Sequence, residues 1–129
     1  LAAVNDSGGH LFSVDIRDCP NARRRLRGEP NWTFIQEDDM KLVKRWDKPI
    51  DHLFIDTRHD FRHTLAELRE WGGWVKMYGV ISLHDTNAQN YPGVMRAVKR
   101  YLEENTTFVF TNYPECFGLG VVKKLSDRD

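Results

Sequence analysis

Four residues able to do chemistry sit at two places of similar design. Asp56 and His59 lie in Ile-Asp-Thr-Arg-His, and His84 and Asp85 lie in Leu-His-Asp-Thr. Each pair lies at the end of a short apolar run, Ile50 to Asp56 in one case and Val80 to Asp85 in the other. Two carboxylates at close range repel each other unless a shared proton or a divalent cation neutralises them. Imidazole beside carboxylate suits a metal site, or a general base next to one. The plain alternative is that each Asp caps the loop or helix after it. On that alternative His59 is bonded to backbone, and His84 is a packed residue at a strand end.

The elements that must position these residues follow from the intervening pattern. Phe61, Leu65, Leu68, Trp71 and Val75 recur at spacings of three and four, which predicts a helix. Strand, helix, strand is a βαβ unit, whose crossover makes the strands parallel and is nearly always right-handed. Both strands then end on one edge of the sheet, where open α/β sheets bind ligands. Neighbouring strands lie about 4.8 Å apart, which puts Asp56 and Asp85 within reach of one cation.

The rest of the chain repeats the alternation. Leu1 to Val4 fits the last turn of a helix, and Asn5-Asp6-Ser7-Gly8-Gly9 is a turn. His10 to Ile16 reads as a strand with Asp15 near its end, and Asp18-Cys19-Pro20 opens a short helix that Gly28 stops. Trp32 to Gln36 is a strand ending in Glu37-Asp38-Asp39, before a short helix with Met40, Val43 and Trp46 inward. After the polar stretch Thr86 to Asn90, Pro92 begins a helix with Val94, Val98, Tyr101 and Leu102 on one face. Thr107 to Thr111 and Cys116 to Lys124 form a closing antiparallel hairpin. The expected fold is α/β: a mostly parallel sheet covered by helices on both faces, a three-layer sandwich.

Composition narrows the function classes. The 129 residues suit one domain over 1–129, and 40% apolar content argues for a packed core. Lys+Arg and Asp+Glu both number 19, a net charge of zero that argues against broad nucleic-acid binding. The run Arg23-Arg24-Arg25-Leu26-Arg27 then reads as the solvated face of a short helix. Cys19 and Cys116 form no disulfide framework or metal spacing, so a reducing, cytoplasmic setting is expected. No stretch has the length and apolarity of a signal peptide or a membrane span, so no membrane partner is expected. Gly118-Leu119-Gly120 lies inside the last strand and is not a phosphate loop.

These residues resemble the class I S-adenosylmethionine-dependent methyltransferases. The hairpin TFVFT…CFGLGVV resembles that family's sixth and seventh strands. LFIDTRHDF followed by GVISLHDT resembles its fourth and fifth strands in the metal-dependent O-methyltransferases that act on sugars of macrolides. The resemblance implies that Asp15 and Asp38 hold the adenosine end of S-adenosylmethionine. It implies that Asp56 and Asp85 bind Mg²⁺ or Mn²⁺, with His59 as the base that deprotonates a small-molecule hydroxyl. The family's first strand and glycine-rich loop would precede Leu1, so the chain reads as an N-terminally truncated domain. A non-catalytic binding or assembly remnant and a metal-dependent hydrolase are the rival readings.

In the family the first strand lies between the second and fourth. The expected repair of its absence pairs Phe12–Val14 directly with Leu53–Ile55, giving one continuous sheet. The alternative is a strand from another copy, which makes a homodimer.

Overall fold

The computed structural model describes residues 1–87 and 89–126. The chain divides into two compact units, Leu1–Trp46 and Asp47–Asp129.

The first unit is a small βαβ arrangement. Helix α1 (Ala2–Ser7) ends at Gly8, whose φ of 69° is the left-handed cap that glycine takes readily. Strand β1 (Leu11–Asp15), helix α2 (Pro20–Arg25) and strand β2 (Trp32–Gln36) follow. The strands are parallel, with Leu11 opposite Trp32 and Asp15 opposite Gln36. Trp32 Nε1 donates to Ser13 Oγ at 3.0 Å, tying the pair together through side chains. Helix α3 (Asp39–Leu42) runs on into a 3-10 turn over Val43–Arg45. Leu42 and Val43 are its buried residues. In α2, Arg23 pairs with Asp18 and covers the Phe34 ring, while Arg24 and Arg25 are exposed, as a solvated helix face requires.

The second unit contains β3 (Ile50–Ile55), α4 (Phe61–Gly72), β4 (Val75–His84), α5 (Pro92–Glu104), β5 (Phe108–Tyr113) and β6 (Leu119–Lys124). Its sheet has the order β3-β4-β6-β5, with β3 and β4 parallel and β6 antiparallel to both neighbours. The parallel pair and the closing hairpin are thus those expected. Helix α4 ends at Gly72, and Val75 opens β4 rather than closing the helix. Two consecutive glycines are poor helix residues, and a β-branched valine favours the strand beyond them.

Helices α4 and α5 pack together on one face of this sheet. Leu65 and Leu68 from α4 and Val94, Ala97, Val98 and Tyr101 from α5 meet Ile55, Ile81, Leu83 and Val122 from the strands. Burying each of the larger side chains contributes about 1.5–3 kcal/mol, so this cluster holds the unit together. The other face exposes Phe54, Val109 and Tyr113.

Among the described residues β1 pairs with β2, and β3 with β4. Among the described residues no helix is long and apolar enough to cross a membrane.

Candidate active site

The segment after β3 is shaped by the first turns of α4. Asp60 caps that helix, accepting the His63 backbone N–H at 2.9 Å, and this bond holds its carboxyl below the usual carboxylate range. Thr64 Oγ1 donates to the Arg58 carbonyl at 3.2 Å, and Thr57 Oγ1 donates to Glu67 Oε1 at 2.5 Å. From the other side α5 presses its first turn against the same segment. A Cβ added at Gly93 would lie 2.8 Å from both the His59 carbonyl oxygen and the Phe61 nitrogen, so only glycine lets the backbones approach this closely. The rings of His59 and Tyr91 are 4.1 Å apart and inclined by 32°.

The turn after β4 is fixed as firmly. Asp85 has a φ of 59°, a left-handed conformation that Asp tolerates better than most residues. Thr86 is fully buried and its hydroxyl donates to Asn112 Oδ1 at 2.6 Å. The Asn87 backbone N–H donates to the Phe117 carbonyl at 2.8 Å. A side chain at Gly118, where φ is 94°, would strike Asn87 N at 2.5 Å. The strained Asp85 backbone is therefore held by neighbours on β5 and the hairpin turn. Residues kept in sparsely populated conformations cluster at functional sites.

These two segments bring the sequence-predicted residues of the second unit together. Asp85 is 7% exposed. Its Oδ2 lies 2.6 Å from His59 Nε2 and 3.0 Å from His84 Nδ1. His84 Nδ1 is also 3.9 Å from Asp56 Oδ1. Asp56, His59 and Asp85 each offer one ligand atom, and these atoms lie within 4.8 Å of one another. The hydrogen bond to Asp85 comes first among the causes that hold His84 above the usual histidine value. The charges of Asp85 and Asp56 add to it, and burial opposes it. A small cleft is lined by Asp56, Arg58, His59 and His84. A larger one of about 430 Å³ opens near the start of β4, between Arg69, Tyr101 and Lys124, away from these acids.

Asp15 and Asp38 both lie in the first unit, after its parallel strands. Asp15 ends β1 and its Oδ1 accepts the Arg17 backbone N–H at 2.8 Å. Asp38 caps α3, accepting the Met40 N–H at 2.9 Å. Each therefore commits one carboxylate oxygen to local backbone.

Three further residues belong to the second unit's site. His84, weighed in the sequence as either ligand or packing residue, contacts both acids. Tyr91 stacks on His59, which no spacing indicates. Glu67 is 1% exposed and lies 3.3 Å from His63 Nε2 as well as bonding Thr57. Its place four residues before Trp71, on the inward face of α4, is the signal that could have found it.

The comparisons with known proteins agree with this architecture. A family model described as a methyltransferase domain matches residues 1–86, which include all five predicted site residues. No curated protein matches the sequence. Among solved structures, a provisionally assigned O-methyltransferase from Klebsiella pneumoniae is similar, with a TM-score of 0.76 and 13% identity. The similarity covers 92% of this chain and 63% of that one. The Podospora anserina methyltransferase PaMTH1, solved with S-adenosylhomocysteine, aligns with a TM-score of 0.73 and 13% identity over 95% of this chain and 63% of its own. A protein from Corynebacterium glutamicum aligns with a TM-score of 0.74 and 14% identity over 92% and 62%. The chain thus spans less than two thirds of the length of these structures. The chain belongs to the methyltransferase-domain family, whose class I, Rossmann-like fold its strands and helices follow.

Proposed function

We propose that this chain carries the acceptor and cofactor machinery of an S-adenosylmethionine-dependent O-methyltransferase acting on a small-molecule hydroxyl. The observation that carries the reading is the convergence of Asp56, His59 and Asp85 at the ends of adjacent parallel strands. Family membership and the S-adenosylhomocysteine bound in the Podospora structure support the choice of cofactor.

The donor set fits a hard divalent cation. Two carboxylates and an imidazole lie within 4.8 Å of one another, and Asp85 is nearly buried. Asp56 and Asp85 would hold Mg²⁺ or Mn²⁺, which when bound lowers the pKa of an acceptor hydroxyl. Asp85 Oδ2 lies within 3.0 Å of both imidazoles, and the carboxylates of Asp56 and Asp85 would supply the oxygens that hold the cation.

His59 acts as the base. With Nε2 2.6 Å from Asp85 Oδ2, donation of Nε2–H to that oxygen would leave the lone pair on Nδ1, which would accept the hydroxyl proton. Tyr91 holds the imidazole plane. The cofactor would supply a sulfonium methyl group for the acceptor oxygen, with S-adenosylhomocysteine as the leaving group. Positioning of the two reactants supplies much of the rate. Asp15 and Asp38 would hold the adenosine end through the oxygens not committed to Arg17 and Met40.

Thermal unfolding with and without Mn²⁺ tests the reading. Saturating metal at about 100 Kd stabilises by about 2.7 kcal/mol in the wild type, and Asp56→Asn or Asp85→Asn removes that gain. Identical responses in all three proteins exclude the shared site.

A further inference from the structure

We infer that Glu67 is a positioning residue for this site: through Thr57 it fixes the segment that carries Asp56 and His59. The inference rests on the reading of Asp56 and Asp85 as the cation's oxygen pair.

Glu67 stands among the core residues of α4, between Leu65 and Leu68, and is 1% exposed. A carboxylate is costly to bury, and an apolar side chain there would pack without that cost. The acid therefore needs a reason, and its contacts supply one. Oε1 accepts the Thr57 hydroxyl at 2.5 Å and lies 3.3 Å from His63 Nε2. Thr57 directly follows Asp56 and precedes His59 by two residues.

The other ties of this segment act further along. Thr64 holds the Arg58 carbonyl, Asp60 caps α4, and Gly93 touches His59 and Phe61 backbone. Among these contacts the Thr57–Glu67 bond is nearest to Asp56. Without it the peptide after Asp56 loses its side-chain anchor, while the helix cap and the Arg58 bond remain. Groups that orient metal ligands in this way typically change metal affinity about 10–100-fold when removed.

The test uses the full chain and Mn²⁺ alone. Calorimetry gives the Mn²⁺ affinity, and hydrogen exchange reports the order of the Thr57 to His59 amides. Thr57→Val and Glu67→Leu should each weaken Mn²⁺ by about tenfold or more and speed exchange at those amides. Thr57→Ser and Glu67→Gln, which keep a donor and an acceptor in place, should restore both readouts. Leu68→Ala serves as the stability control. It should lower the melting temperature yet leave Mn²⁺ affinity unchanged while the protein is folded. Wild-type affinity and exchange in Thr57→Val would overturn the inference, as would an equal loss of affinity in Leu68→Ala. If the wild type takes up no Mn²⁺, the cation reading fails by itself. Exchange then decides: faster exchange in Thr57→Val upholds Glu67's hold on the segment, and unchanged exchange overturns it.

Discussion

Gly93 offers a sharp test of how closely α5 approaches the segment carrying His59. In most helices Gly→Ala is stabilising by roughly 0.5–1 kcal/mol, because alanine loses less backbone freedom on folding. At Gly93 the added Cβ would sit 2.8 Å from the His59 carbonyl oxygen, 2.8 Å from Phe61 N and 3.1 Å from the Asp60 carbonyl carbon. All three are backbone atoms, which cannot swing aside as a side chain can. Overpacking of this kind costs about 1–3 kcal/mol, which outweighs the propensity gain. The net loss should be about 1–2 kcal/mol, a fall in melting temperature of roughly 3–10 °C for a chain of this size. Gly73 is the matched comparison. It has a φ of −62°, and its nearest Cβ contact is the Glu70 carbonyl at 3.7 Å. Gly73→Ala should therefore stabilise by about 0.4–1 kcal/mol. Thermal unfolding followed by circular dichroism measures both variants. A Gly93→Ala protein as stable as the wild type would refute the close approach.

Two further predictions concern charge and cofactor. His84's pKa is raised chiefly by its hydrogen bond to Asp85. Its contribution to stability is thus fully present below the ordinary value of 6.5 and is lost as pH rises through the raised value. The side chain is 37% exposed, so the contribution is small. Asp85→Asn should lower the His84 midpoint in an NMR titration, and an unmoved midpoint would contradict the assigned cause. S-adenosylhomocysteine should bind through the carboxylate oxygens of Asp15 and Asp38 that Arg17 and Met40 leave free. Asp15→Asn and Asp38→Asn should each weaken that binding by about tenfold, or 1.4 kcal/mol, in calorimetry. No change in either variant would refute that assignment.

The second unit was largely legible in the sequence because its signals are local. Apolar runs closed by Asp gave β3 and β4, and the three-and-four spacing gave α4. The short link between the last two strands gave their antiparallel pairing. Val75 was misread because it continues the helical spacing past Gly72-Gly73, where propensity rather than periodicity decides. In the site, Asp56, His59 and Asp85 were visible as residue types at strand ends. Tyr91 was not, and of Glu67 only its place on the inward face of α4 was, because their roles arise from helix packing that brings α5 and α4 against one short segment. His63 reads from its spacing as a helix-surface residue, yet it meets the buried Glu67 one turn along the same helix.

The central claim is that Asp56 and Asp85 share a divalent cation. Crystals of the chain grown with Mn²⁺, with data collected to show anomalous scattering, locate the metal directly. The account predicts a peak bonded to one oxygen of Asp56 and one of Asp85, with His59 still turned toward Asp85. No peak at saturating Mn²⁺, or a peak bonded elsewhere with these two carboxylates untouched, would contradict it.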